Sequence, residues 1–308
     1  MQAKERRRYP FIHLDVFTSK PLEGNQLCVI PDASGLSDGE MQTLAREFNL
    51  SETTFVLPRD IETERQRGIR VRIFTTQEEL PFAGHPTLGT AFALHGEDRR
   101  QSEVFRTRSK SSRIELDLNV GKIPVEFTFE QGRLYGEMTQ RDPQFGQIHH
   151  AEEVARAANL NLRDVDASLP IQTVSTGNAF AIVPLKSLQA IRGLGFVYKN
   201  VAEYCEKTDA KFLYFVTREV EDKSARLHAR MLFYNGEDPA TGSAAGPCVA
   251  WAVRHGVLQS DEKALIEQGL EMKRRSHMYV RATRTGDRVT NVRVGGHVVE
   301  VMRGEVSF

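Results

Sequence analysis

A chain of 308 residues is long enough for two domains of ordinary size, and 40% hydrophobic with 27% charged content describes a soluble globular protein. Lys plus Arg and Asp plus Glu both number 41, so the formal net charge is zero and no long-range field recruits nucleic acid or an anionic membrane. Three cysteines, Cys28, Cys205 and Cys248, show no CxxC spacing and cannot all pair, which argues against a disulfide scaffold or thiolate zinc site and for a reducing cytoplasm; no apolar run is long enough for a membrane span or a secretion signal.

Residues 13–17 and 26–30 read as strands joined by a turn built on Pro21, Gly24 and Asn25. Ser37 and Glu40 form a capping box, and Met41, Leu44, Ala45 and Phe48 line one face of the helix behind it. That helix ends over residues 49–52 and passes into a β-branched strand, residues 53–57, which places Glu52 at a helix-to-strand junction. The alternating charges of residues 59–68 suggest a loop, and a strand follows at 69–74. Alternation marks strands at 114–118 and 125–129, with turns at Gly121, Gly132 and Gly136. Further on, helices are expected at 151–158 and 201–207, strands at 171–174, 179–183, 212–217 and 227–234, and an alternating tail from Met278 with turns at Gly286, Gly295 and Gly296. The basic runs at 4–8 and 106–113 are read as solvated surface.

The segment Gly84-His85-Pro86-Thr87 has a loose echo at Gly242-Ser243-Ala244-Ala245-Gly246-Pro247. Each follows a strand-like run and opens a helix: Leu88, Ala91, Phe92 and His95 fall at i, i+3, i+4 and i+7 before a stop at Gly96, and Cys248, Trp251, Ala252 and His255 repeat the spacing before Gly256. Pro86 and Pro247 are placed near first turns, where a missing N–H costs nothing. A helix start offers free N–H groups and partial positive charge, and glycine admits a ligand close to the backbone, so two such starts facing one cleft would hold a small carboxylate. Strands outnumber helices, so an α+β chain of two β-rich lobes around central helices is expected, divided near Gly121 into 1–121 and 122–308.

Glu52, His85, Asp238 and Ser243 are the polar groups at element junctions near that presumed cleft. Singly, the carboxylates and the serine read as backbone caps and His85 as a satisfied turn residue. Together, two carboxylates and an imidazole around two helix starts suggest proton transfer at a carbon next to a carboxylate. Competing patterns fail: no serine sits at the centre of GxSxG, no GK[ST] or GxGxxG is present, and no HExxH exists, while His149-His150 reads as surface. Neither a cofactor nor a metal is called for.

The run from Asp15 to Asn25, the run Asn49-Leu50-Ser51-Glu52-Thr53-Thr54-Phe55-Val56, Leu80-Pro81-Phe82-Ala83-Gly84-His85-Pro86, and the stretch from Glu237 to Pro247 resemble, in order, the phenazine-biosynthesis PhzF family. The resemblance implies the diaminopimelate epimerase-like fold, in which each of two similar lobes is a β-barrel-like sheet wrapped around a central helix, with the site in the cleft between them. It also implies a homodimer, with the last strand returning to the N-terminal lobe. By motif position, Glu52 resembles the catalytic acid/base, His85 and Asp238 its catalytic support, and Gly84, Gly242, Ser243, Ala244 and Asn25 the substrate-binding set. Family members of known activity isomerise trans-2,3-dihydro-3-hydroxyanthranilate without a cofactor, moving a proton between ring carbons. The expected partner is thus a small carboxylate, with no nucleic acid and no membrane.

Epimerases of this fold rely on a cysteine beside each glycine turn, and Ala83 and Thr241 stand there instead. A dienyl carboxylate, whose carbanion is delocalised, asks less of its base than a saturated amino acid. A glutamate of ordinary pKa ~4.3 would still need burial to become a stronger base. This ranks a cofactor-independent isomerase above an amino-acid racemase or epimerase of the same fold, and above a catalytically silent member that binds a carboxylate or a protein. Further departures from the family pattern are Gln26 for a proline, Lys273-Arg274-Arg275-Ser276, where positive charge replaces a turn, and Ser175-Thr176-Gly177-Asn178-Ala179.

Overall fold

The computed structural model describes residues 6–95, 113–130, 132–195, 197–233 and 236–308. Gly96, Tyr234, Lys4 and the basic run 106–112 lie outside the described residues. Two compact units divide the chain: Met1–Met138 with His297–Phe308, and Thr139–Gly296.

The first unit opens with β1 (Arg8–Val16) and β2 (Asn25–Ile30), followed by α1 (Asp38–Phe48) and β3 (Glu52–Leu57). Ser37 caps α1 in a complete capping box with Glu40, and Asn49 closes it in the left-handed conformation, φ 51°. A helix, α2 (Ile61–Arg67), occupies the stretch read as a loop. Asp60 caps its start by accepting from Thr63 N, and Gly68 ends it, so most of the alternating charges are the solvated face of a short capped helix, while Glu64 is buried and accepts from Arg59 N. Next come β4 (Ile69–Phe74), β5 (Glu79–Leu80), α3 (Gly84–His95), β6 (Arg113–Leu118), β7 (Gly121–Glu130) and β8 (Arg133–Thr139). Gly121 closes the Asn119–Val120 turn of the β6–β7 hairpin as the first residue of β7, with φ +107°. Gly136 is not a turn: it lies within β8, where a Cβ would meet Leu88 Cδ1 at 2.7 Å and Phe127 at 2.9 Å.

The second unit runs β9 (Gln144–His149), α4 (Ala151–Ala157), β10 (Ile171–Ser175), β11 (Ala179–Leu185), α5 (Leu188–Arg192), α6 (Tyr198–Cys205), β12 (Phe212–Thr217), β13 (Leu227–Phe233) and β14 (Gly236–Asp238). It continues with α7 (Gly242–Arg254), β15 (Ala264–Gln268), β16 (Ser276–Thr285) and β17 (Arg288–Gly296), and β18 (Val298–Ser307) then pairs with β1. Gly295 and Gly296 are therefore the end of a strand, whereas Gly286 is a turn with φ +61°.

In the first unit the strands lie in the order β18-β1-β2-β3-β4-β6-β7-β8, and successive pairs run antiparallel, antiparallel, parallel, antiparallel, parallel, antiparallel, antiparallel. The second unit orders β9-β10-β11-β12-β13-β15-β16-β17 with the same succession of directions. Each adds a short antiparallel strand just before its buried helix, β5 on β4 and β14 on β13. Helix α3 packs against β1, β2, β3 and β6, and α7 against β10, β11, β16 and β17. Both are apolar almost all round and buried from the first residue, as core helices must be.

Pro247 departs from expectation. It is in the interior of α7, where its missing N–H leaves the Ser243 carbonyl without the usual i→i−4 donor. No helix among the described residues is long and apolar enough to cross a membrane.

Candidate active site

In the first unit, the tight turn ahead of β2 fixes Asn25. Gly24 takes φ +70°, a Cβ there would strike Thr18 Cγ2 at 2.6 Å, and Asp15 Oδ2 accepts from Leu22 N at 2.6 Å. Gln26, in place of a proline, pairs with Asp15 in the β1–β2 ladder. Parallel pairing of β2 with β3 sets Leu27 opposite Glu52 and so carries Glu52 alongside Asn25. Helix α3 brings His85 as its second residue, and a contact of 2.8 Å between the hydroxyls of Thr54 and Thr90 fastens β3 to α3.

His85 Nε2 then lies 3.3 Å from Glu52 Oε2, and Asn25 Nδ2 lies 3.0 Å from His85 Nδ1. With the Asn25 amide donating, Nδ1 accepts and the ring proton is on Nε2, the nitrogen nearer the carboxylate, though the 3.3 Å approach does not have hydrogen-bond geometry. Burial pushes the His85 pKa down to about 3, with a backbone hydrogen bond to Gln26 pulling weakly the other way. The imidazole is therefore neutral at physiological pH, an N–H donor rather than a cation. The Glu52 side chain is 13% exposed, enough for a reacting atom to reach it, while that of His85 is 3% exposed. A carboxylate 3.3 Å from a neutral imidazole, in the same unit as the start of a buried helix at Gly84, is a candidate to take and return a proton.

In the second unit, β14 ends at Asp238, and Pro239, Ala240 and Thr241 lead into Gly242, Ser243 and Ala244 at the start of α7, all of them buried. The N-cap Thr241 makes no side-chain cap bond; its hydroxyl donates to Asp238 Oδ2 at 2.8 Å. Gln268, at the end of β15, donates from Nε2 to the Asp238 carbonyl at 2.6 Å and to Thr241 Oγ1 at 3.0 Å. Its Oε1 accepts from the Tyr214 hydroxyl at 2.9 Å and from Thr241 N at 3.3 Å. On the helix side, Gln140 donates to the Gly242 carbonyl at 2.8 Å and accepts from Thr176 Oγ1 at 2.6 Å. Thr176 lies in the segment that departs from the family pattern.

Behind Asp238, Arg230 holds Glu237 through two bonds of 2.8 and 2.7 Å. His228, fully buried, sits 3.0 Å from Glu267 and 3.2 Å from Glu271. Burial alone would lower its pKa, but the two carboxylates outweigh this and raise it. Residues 273–276 were expected to have lost a turn, yet a turn is there: Lys273 adopts φ 57°, with Lys273 N donating to Leu270 O at 3.0 Å and Arg274 N to Gly269 O at 2.9 Å.

The structure thus brings Glu52, His85, Asn25 and Gly84 together in one unit, and Asp238, Gly242, Ser243 and Ala244 together in the other. Gln268, Tyr214, Gln140 and Thr176 were not anticipated, although Gln268 opens a run, Gln268-Gly269-Leu270-Glu271-Met272, that matches the family pattern. Among the described residues no cluster of three or more His, Cys, Asp or Glu gathers that could hold a metal ion. The cysteines are buried free thiols whose pKa values burial pushes up, and Ala83 and Thr241 precede the two helices without one.

The sequence model of PhzC-PhzF, described as phenazine biosynthesis-like protein, matches residues 14–304. The chain belongs to the PhzC-PhzF family. It is 34% identical over 301 residues to the trans-2,3-dihydro-3-hydroxyanthranilate isomerase of Pseudomonas chlororaphis, covering 96% of this chain and 98% of that protein. Among solved structures, the phenazine biosynthesis protein of the PhzF family from Bacillus anthracis superposes with a TM-score of 0.84 at 28% identity, over 97% of this chain and 99% of that one. A hydroxyproline epimerase from Agrobacterium vitis shares the fold, with a TM-score of 0.65 at 12% identity over 99% of this chain and 93% of that one. As a PhzF-type protein of mixed α and β structure, the chain is an isomerase.

Proposed function

We propose that this PhzC-PhzF member is a cofactor-independent isomerase that moves a proton between carbons of a small cyclic or unsaturated carboxylate, with trans-2,3-dihydro-3-hydroxyanthranilate as the first substrate to test. The observation that carries the proposal is Glu52, partly exposed and 3.3 Å from a buried neutral His85 whose other ring nitrogen faces Asn25. Glu52 accepts a proton from one ring carbon, the electron pair is delocalised through the unsaturated system, and the same proton or one from solvent is delivered to a second carbon. No net electrons or atoms are exchanged.

In this reading His85 donates to Glu52 and orients its carboxylate. The helix-start N–H groups at Gly84 in one unit, and at Gly242 with Ser243 and Ala244 in the other, are the groups suited to a substrate carboxylate, and Asp238 serves the substrate from its own unit. The positions Ala83 and Thr241 supply no thiol pair for racemising a saturated amino acid. A homodimer in the cytoplasm belongs to the same proposal, and light scattering reads the oligomer directly.

The test is isomerisation of trans-2,3-dihydro-3-hydroxyanthranilate in D₂O followed by NMR. The wild type should give isomerised product carrying deuterium, and Glu52→Gln should slow it by about 10²–10⁴-fold. Full turnover by Glu52→Gln removes Glu52 as the base; no turnover by the wild type removes this substrate.

A further inference from the structure

Gln268 is a glutamine with no exposed surface, and its amide makes four hydrogen bonds. Burying an amide is unfavourable unless its groups are met, and an apolar side chain of the same length would fill the space without that demand. The four bonds are not scattered. Three of them reach the Asp238–Thr241 turn, at the Asp238 carbonyl, the Thr241 N–H and the Thr241 hydroxyl, and the fourth ties the amide to Tyr214, itself with no exposed surface.

The hydrogen bonds also have a direction. Gln268 Nε2 donates to Thr241 Oγ1, which obliges that oxygen to act as acceptor there and leaves its own proton for Asp238 Oδ2. The chain runs amide to hydroxyl to carboxylate and fixes one oxygen of Asp238. The backbone closes the grip from the other side: Gly269 takes φ +79°, and a Cβ there would strike Pro239 O at 2.6 Å, so the chain just after β15 lies directly on the turn.

We propose that Gln268, held by Tyr214, is the positioning residue for Asp238 and for the start of α7. This inference rests on the reading above, in which Asp238 serves the substrate whose proton Glu52 moves. Gln268 does not touch substrate; it sets the rotamer of Asp238 through Thr241 and the height of the Asp238–Thr241 turn through two backbone groups.

The experiment uses the full chain with trans-2,3-dihydro-3-hydroxyanthranilate and the variants Gln268→Met, Tyr214→Phe, Asp238→Asn and Gln268→Met/Asp238→Asn. Gln268→Met should lower kcat by ~10²-fold with KM nearly unchanged, the scale of an orientation error. Tyr214→Phe, which keeps the ring and so guards against a folding defect, should lower kcat less and in the same sense. On the Asp238→Asn background, Gln268→Met should cost several-fold less than in the wild type, because the part exerted through the Asp238 carboxylate is already gone.

Wild-type kcat in Gln268→Met, or a full multiplicative loss in the double variant, overturns the proposal. Wild-type activity in Asp238→Asn instead overturns the functional reading of Asp238. A crystal structure of Gln268→Met judges the positioning without any substrate: a Thr241 hydroxyl turned away from Asp238 supports it, and an undisturbed contact overturns it.

Discussion

His85 is buried, which disfavours its charged form, and its Nδ1 lies 3.0 Å from the Asn25 amide, so it enters the chemistry as a neutral imidazole. The unfolded imidazole binds its proton near the ordinary value of about 6.5, the folded one only near 3, so its folded value is depressed. Stability is therefore intact above about pH 6.5 and falls as the pH drops from there toward 3, by at most about 1.4 kcal/mol per pH unit. Urea unfolding between pH 4 and 7 should show a shallower acid slope in His85→Gln than in the wild type. At this scale, the placement of Glu52, His85, Asp238 and Ser243 at element junctions was legible because turn and cap residues mark those junctions and the family pattern runs through them. Gln268, Tyr214, Gln140 and Thr176 were not, because each acts through partners far away in sequence: Gln268 meets Asp238 only once β15 has crossed behind the helix start.

Among the elements, the ends of helices carried the clearest signals. The Ser37–Glu40 capping box and the left-handed Asn49 frame α1 as the sequence indicates. Helix α2 was missed because a seven-residue helix has too few turns to show a periodicity, although Asp60 and Gly68 bracket it. Strands β8, β9 and β15 were also missed: β9 is exposed along much of its length, and Gly136 interrupts the pattern of β8. Two glycines give opposite expectations. In α3, a Cβ on Gly89 would come within 2.5 Å of Leu27 and 2.8 Å of Val16, both buried, so Gly89→Ala should destabilise by about 1–3 kcal/mol. In α1, Gly39 has nothing within 4 Å, so Gly39→Ala should stabilise by about 0.4–1 kcal/mol through the unfolded chain. Urea denaturation of the pair checks both signs.

For the molecule as a whole, the same succession of strand directions occurs twice, and the sequence disclosed this only as two glycine turns with matching helices. The parallel pairs β2–β3 and β11–β12 cannot be seen in local pattern, since each requires a crossover whose packing partner lies elsewhere. The units also differ in what they bury. His228 has a raised pKa: burial opposes the charge, but Glu267 and Glu271 favour it more strongly. Its stabilisation is complete below the unfolded value of about 6.5 and is lost as the pH rises through the folded value, opposite to His85. His228→Gln should therefore lower stability by about 3–5 kcal/mol near pH 6 and flatten the decline on the alkaline side, as read by urea unfolding from pH 6 to 9. Arg7 and Phe308 exchange two backbone hydrogen bonds, of 3.0 and 3.1 Å, while the first unit is assembled from two separate stretches of chain. A circular permutant spliced from 308 back to 1 and reopened between Met138 and Thr139 would read each unit off as one continuous stretch, turning a protein whose halves interlock along the chain into two modules in series.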